Sequence, residues 1–203
     1  MKKVVKFGGS SLANAQQFMK VGDIIRQDDA RRYVVPSAPG KRYAEDVKVT
    51  DMLYQCYAKA EAGEAFDELL NRIKSRYEEI IGGLGLELSL DGEFAKIREM
   101  FENKAGTDYA ASRGEYLNGI VMAAYLGFEF VDAADVIFFD KNGALDEEKT
   151  NRAIGKRLKS AEYAVIPGFY GSMPDGKIKT FSRGGSDITG SLVAKAIQAD
   201  LYE

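Results

Sequence analysis

The chain has 203 residues, 45% hydrophobic and 29% charged, and its 28 Lys and Arg against 31 Asp and Glu leave a net charge of -3. That is the composition of one substantial globular core, and it gives no broad pull toward nucleic acid or an anionic membrane, so neither is expected as a partner. There is no histidine and a single cysteine, Cys56. Histidine acid–base chemistry, a Ser-His-Asp triad, a His-ligated zinc and a thiolate cluster are therefore excluded. Lysine, arginine, carboxylates, hydroxyls, the backbone or an oxygen-ligated magnesium ion must carry any chemistry.

Val4-Val5-Lys6-Phe7 has the length and β-branching of a buried strand, and Met1-Lys2-Lys3 leads straight into it rather than into a signal sequence. Gly8-Gly9 turns the chain, and Ser10-Ser11 offer N-cap hydroxyls to a helix predicted over Ala13 to Arg26. Strand, glycine turn and helix N-terminus bring free N–H groups and the positive end of a helix dipole to one point, with Lys6 in reach. Two readings stand at this stage, a phosphate cradle and a packing turn. Neither Gly-x-Gly-x-x-Gly nor a Walker A loop is present, because here the lysine precedes the glycines.

Arg32 to Pro36 reads as a second strand ending in the small-residue loop Ser37-Ala38-Pro39-Gly40. Lys41 to Lys48 is expected to be a solvated, mobile loop, and Thr50-Asp51 the N-cap of a helix over Met52 to Ala62 with Cys56 on its packing face. The lone cysteine fits a reducing, cytoplasmic setting. Amphipathic helices follow at about Ala65 to Ile81 and Glu93 to Asn103, with no functional signal. Thr107-Asp108 is expected to cap a helix over Tyr109 to Leu126. Its interior Gly114 and Gly119 each cost about 1 kcal/mol relative to alanine, which points to close approach of another backbone or a ligand. Glu115 either faces that approach or is a solvent-exposed glutamate favoured by the helix dipole.

Strands are predicted at Phe128 to Val131, Val136 to Phe139, Ala164 to Ile166 and Ile178 to Phe181, with a helix over Glu147 to Leu158. This alternation argues for a three-layer α/β sandwich with a mainly parallel central sheet. Ser182-Arg183-Gly184-Gly185-Ser186-Asp187 repeats the logic of the opening stretch, with Ser186-Asp187 as cap of a helix over Ile188 to Gln198 and Arg183 as a planar fork for a carboxylate or phosphate. Two such loops can face each other where parallel strand ends converge. Ala199 to Glu203 reads as the start of another strand, so the chain is expected to be a fragment.

Lys6-Phe7-Gly8-Gly9-Ser10-Ser11 resembles the N-terminal signature of the aspartate kinases, within the amino-acid kinase superfamily. Ser182 to Asp187 resembles the second signature of that family. Val165 to Gly171 is similar to the strand and loop before it, and Arg113-Gly114-Glu115 to its Gly-Glu motif. Gly190 departs from it, standing where alanine is frequent. The resemblance implies transfer of the ATP γ-phosphoryl group, with Mg2+, to the β-carboxylate of L-aspartate, the first step toward lysine, threonine and methionine. It implies catalytic roles for Lys6, which neutralises charge on the phosphoryl group, and Asp187, which positions Lys6. Gly8, Gly9 and Ser10 would line the phosphate pocket. Arg183 would hold the substrate α-carboxylate and Glu115 its ammonium, with Ser37, Ala38, Thr50 and Ser186 completing the amino-acid pocket. No residue is assigned to a metal. Residues 1–203 would be the amino-acid-binding portion of one kinase domain, inactive alone, with the rest of the nucleotide site and regulatory ACT domains beyond it. The full-length protein would be a homo-oligomer. The alternatives are a sister amino-acid kinase acting on another acidic substrate and a non-catalytic ligand-binding module on the same fold.

Overall fold

The computed structural model describes residues 1–182 and 184–203. The first apolar run becomes β1 (Lys3–Phe7), paired in parallel with β2 (Arg31–Pro36) on one side and β7 (Leu201–Tyr202) on the other. β4 (Ala164–Val165) adds outside β2, and β3 (Glu129–Phe130) outside β4, giving a five-stranded sheet in the order β3-β4-β2-β1-β7. Its strands read as continuous apolar runs because helices cover both faces. Alternate side chains divide between two cores. Val5, Val34 and Val165 pack under α1 (Ala15–Arg26), α2 (Val49–Glu61), α3 (Asp67–Gly83), α4 (Asp91–Glu102) and α5 (Thr107–Leu126). Val4, Val35 and Ala164 pack with α6 (Glu147–Leu158) and α7 (Gly185–Ile197). The α/β sandwich with a mainly parallel sheet is therefore the observed fold. No helix among the described residues is long and apolar enough to cross a membrane.

Several boundaries differ from the sequence reading, each for a local reason. Ser10 and Ser11 do not cap α1; they lie in a 3-10 turn, Gly9–Leu12, and the Asn14 side chain caps the helix by accepting from the Gln17 N–H at 3.0 Å. Thr50 and Asp51, Thr107 and Asp108, and Ser186 and Asp187 all fall inside the first turns of α2, α5 and α7. Gly106 (φ 101°) and Gly184 (φ 58°) occupy the cap positions of α5 and α7, conformations that side chains resist. Val136 to Phe139 forms isolated bridges rather than a strand, because the Asp132 side chain accepts from the Ala134 N–H and winds residues Ala133–Asp135 into a 3-10 turn. β6 (Ile178–Thr180) lies off the main sheet, in an antiparallel pair with β5 (Tyr170–Ser172) closed by a turn at Gly176 (φ 82°).

The glycine at 190 has a packing cause. A Cβ there would fall 2.5 and 2.6 Å from Tyr202 ring atoms, and the Tyr202 hydroxyl donates to the Asp187 carbonyl at 3.2 Å. A bare helix surface thus lets α7 lie on β7. Cys56 is fully buried in the larger core, where burial pushes its thiol up to about 11, a packing role.

Candidate active site

The ends of β1 and β2 converge on one cavity of about 510 Å3, lined by Gly9, Ser10, Ser37, Ala38, Pro39, Gly40, Lys41, Lys48, Thr50 and Glu115. The site lies at the carboxyl ends of a parallel sheet, where strand ends and helix starts leave backbone donors exposed. The first wall is the turn after β1. The N–H groups opening the Gly9–Leu12 turn have no acceptor inside it, which is the donor set an anion needs. A Cβ on Gly8 would lie 3.8 Å from the Lys6 ammonium, which places that charge directly beside the turn. Gly9 and Gly40 meet main chain to main chain. The Gly40 N–H donates to the Gly9 carbonyl at 2.8 Å, and a Cβ on either glycine would come within 2.7 Å of the other segment's backbone.

The second wall is the small-residue loop after β2, which three contacts hold. The Ser37 N–H donates to the Phe7 carbonyl at 3.0 Å, the Asn118 side-chain amide donates to the Ser37 carbonyl at 2.6 Å, and the Ser37 and Ser186 hydroxyls are hydrogen-bonded at 3.0 Å. The last of these ties the opening segment to the second glycine loop. Ser186 is buried at the start of α7, and Gly168 leaves the space it fills, since a Cβ there would lie 2.6 Å from the Ser186 hydroxyl. Asp187, next along α7, reaches Lys6 in an ion pair of 3.0 Å, with the carboxylate 64% exposed and the lysine 23%. So exposed a pair contributes little to stability and leaves the lysine ready to exchange partners. Arg183 lies outside the described residues.

The third wall is α5. A Cβ on Gly114 would sit 2.8 Å from the Ala38 side chain, so this glycine answers to a close approach by the loop after β2, with Thr50 of α2 just beyond. A Cβ on Gly119 would meet the side chains of Phe130 and Pro167 at 3.0 and 3.2 Å, so that glycine packs α5 against β3 and the turn after β4. The packing at Gly114 carries Glu115 into the interior. Of its two sequence readings the exposed one is wrong: Glu115 is 6% exposed, it lines the cavity, and its Oε2 has no hydrogen-bond partner. Burial pushes its carboxyl up to about 8, against the opposing pull of main-chain groups at Ala38 and Glu115 and of the Arg113 charge. An unpartnered carboxyl oxygen in a cavity is a receptor for a cation or donor.

Lys6, Gly8, Gly9, Ser10, Ser37, Ala38, Thr50, Glu115, Ser186 and Asp187 are thus neighbours around one cavity or along its rim. Sequence reading missed Asn118, although its spacing from Gly114 places both on one face of α5. It also missed Lys41 and Lys48, whose loop it took as mobile and solvated. The loop is solvated, with residues 41–45 exposed, but it is anchored by Asp46, which is buried and accepts from Arg42 at 2.8 Å and Arg76 at 3.1 Å. The Arg42 hydrogen bond holds the Asp46 carboxyl well below the usual carboxylate range. No local signal in residues 41–48 reports Arg76, which comes from α3.

The whole chain, residues 1–203, matches the Amino acid kinase family, and the protein belongs to that family. It is 41% identical to aspartokinase 3 of Bacillus subtilis, over 99% of this chain and 47% of that protein. Its fold superposes on aspartate kinase of Clostridium acetobutylicum with a TM-score of 0.97 and 52% identity, covering all of this chain and 47% of the other. E. coli aspartokinase III, solved in complex with aspartate and ADP, matches with a TM-score of 0.79 and 26% identity, again over all of this chain and 48% of that one. The chain therefore spans about half the length of these relatives.

Proposed function

We propose that this chain forms the amino-acid-binding portion of a kinase domain that transfers the γ-phosphoryl group of ATP to the β-carboxylate of L-aspartate, giving 4-phospho-L-aspartate. The observation that carries the reading is the buried, unpartnered Glu115 oxygen in the same cavity as the Gly9–Ser10 donors, with the Lys6–Asp187 pair on its rim. Kinship with aspartokinases, one of them solved with aspartate and ADP, supports the substrate pair.

In this reading Glu115 receives the substrate ammonium, while the Ser37 and Thr50 hydroxyls and the Ala38 main chain fit its amino-acid frame. Arg183, on the second glycine loop, takes the α-carboxylate, with Ser186 fixing that loop to Ser37. The nucleophile is a carboxylate already ionised at neutral pH, so no protein base is required and the absence of histidine is no handicap. What remains is positioning and charge neutralisation. Lys6 leaves Asp187 for the transferring phosphoryl oxygens, and the N–H groups of Gly8, Gly9 and Ser10 cradle the phosphate. Magnesium would neutralise phosphate charge when bound. The described residues contain no group of three or more acidic, His or Cys side chains placed to hold a metal ion. Asp187, beside Lys6, is the carboxylate that would stand near such an ion.

The buried single cysteine supports a cytoplasmic setting. We place the remaining nucleotide contacts and any regulatory domains in the part of the protein beyond this chain, take the full-length protein to be a homo-oligomer that feeds lysine, threonine and methionine synthesis, and expect the chain alone to be inactive.

The test is hydroxamate formation from aspartate, ATP, magnesium and hydroxylamine by the full-length protein. Lys6→Ala is expected to reduce turnover by about 10²–10³-fold, the usual loss when one transition-state donor is removed. Undiminished turnover in that variant would sink the role of Lys6. A preference for glutamate or acetylglutamate over aspartate would overturn the substrate.

A further inference from the structure

Arg76 lies in the interior of α3, only 4% exposed, and does not line the cavity. Its guanidinium nevertheless serves four oxygens on the segments that build the cavity wall. Nη2 donates to the Gly40 carbonyl at 3.0 Å and the Ala13 carbonyl at 3.4 Å; Nη1 donates to the Asp46 carboxylate at 3.1 Å and the Val47 carbonyl at 3.2 Å. A buried arginine directed mostly at carbonyls is weak as a source of stability, because an apolar side chain of similar volume could fill the space without its desolvation cost. What the fork supplies is geometry. Ala13 follows the Gly9–Leu12 turn, Gly40 touches Gly9, and Asp46 and Val47 return the chain so that Lys41 and Lys48 face the cavity.

We infer that Arg76 is a positioning residue for this pocket: through the Gly40 carbonyl, and the Gly40 N–H bonded to the Gly9 carbonyl, it sets the distance between the phosphate turn and the 37–48 wall. Asp46 is its second anchor, shared with Arg42, which also reaches Glu79 at 2.9 Å. The network thus runs from the surface of α3 to the main chain of the turn. The inference rests on the reading of the pocket as a phosphoryl-transfer site, in which small misplacements of either wall are expensive.

The experiment compares Arg76→Lys and Arg76→Met in the full-length protein. It measures KM for aspartate and for ATP, kcat, Tm, and amide exchange in peptides covering residues 8–13, 31–36 and 38–49. Arg76→Met is expected to raise both KM values about tenfold and Arg76→Lys, which keeps a charge but loses the fork, about threefold. Exchange should rise in 8–13 and 38–49 while 31–36, the β2 segment, keeps its wild-type rate. A lower Tm with KM and exchange at wild-type values would make Arg76 a simple core pin and overturn the inference. Should Arg76→Met fail to fold, Arg76→Lys decides by the same criteria. An inactive wild-type protein would sink the kinase reading, and exchange in 8–13 would then judge Arg76 alone, with no change counting against it.

Discussion

At the scale of single residues, Glu115 is the group whose behaviour departs most from its ordinary chemistry. Burial pushes its carboxyl up to about 8, so the folded protein with an empty pocket keeps a proton that the unfolded chain releases above about 4.5. Stability from this group is therefore complete below pH 4.5, falls as pH rises toward 8 and levels off beyond, a loss of up to roughly 5 kcal/mol. Glu115→Gln, neutral at every pH, should remove that slope in urea unfolding measured at pH 5 and pH 8; equal slopes for variant and wild type would refute the assignment. With the proposed role, an entering ammonium replaces the proton. Aspartate binding near pH 7 should then release about one proton, readable by calorimetry in buffers of different ionisation enthalpy. Sequence alone left Glu115 undecided because the residues that share its cavity, Ala38 and Thr50 among them, come from distant segments that a helical pattern around residue 115 does not contain.

At the scale of elements, the strands and helices were legible wherever periodicity was strong. α6 runs over Glu147–Leu158, the residues the pattern picks out, and α1 and β2 lie within a turn or a residue of expectation. The starts were less legible, since an eligible hydroxyl is not always the cap. α1 shows the competition: Ser10 and Ser11 are drawn into the 3-10 turn that forms the pocket wall, and the capping falls to Asn14. Asn14→Ala should accordingly cost about 1 kcal/mol, whereas Ser11→Ala should change stability by less than about 0.5 kcal/mol. Denaturant midpoints for the two variants check this, and the reverse order would return the cap to the serines. The same competition explains why a helix that was expected to begin at Ala13 begins at Ala15. The residues between strand and helix serve the site before they serve the helix.

At the scale of the molecule, the alternation of strands and helices was enough to anticipate a parallel sheet covered on both faces. It could not show which loops would lie against each other, because Gly9 with Gly40, Ser37 with Ser186 and Arg76 with Asp46 are contacts between distant segments. The two cores share β1 and β2, so they should not unfold separately. Val4→Ala on one face and Val5→Ala on the other should each lower one cooperative transition by about 2 kcal/mol. Two transitions, each sensitive to only one of the variants, would show the faces to be independent.

The place of β1 between β2 and β7 also bears on how the chain acquires its shape. Lys3 pairs with Arg31 on one side and with Leu201 on the other, so β1 has its second neighbour almost at the far end of this chain. At ordinary translation rates, Asp187 leaves the ribosome about 10–40 s after Lys6. Until β7 emerges, Lys6 stands on a strand edge that lacks this partner, the kind of surface that chaperones cover and that aggregation exploits. Closing so long a span is also slow in an isolated chain, because the entropy of the loop must be lost before the last strand contributes any contact. The charge pair at the mouth of the pocket thus marks a late event in folding, and its formation could serve as a reporter that the nascent protein has become native.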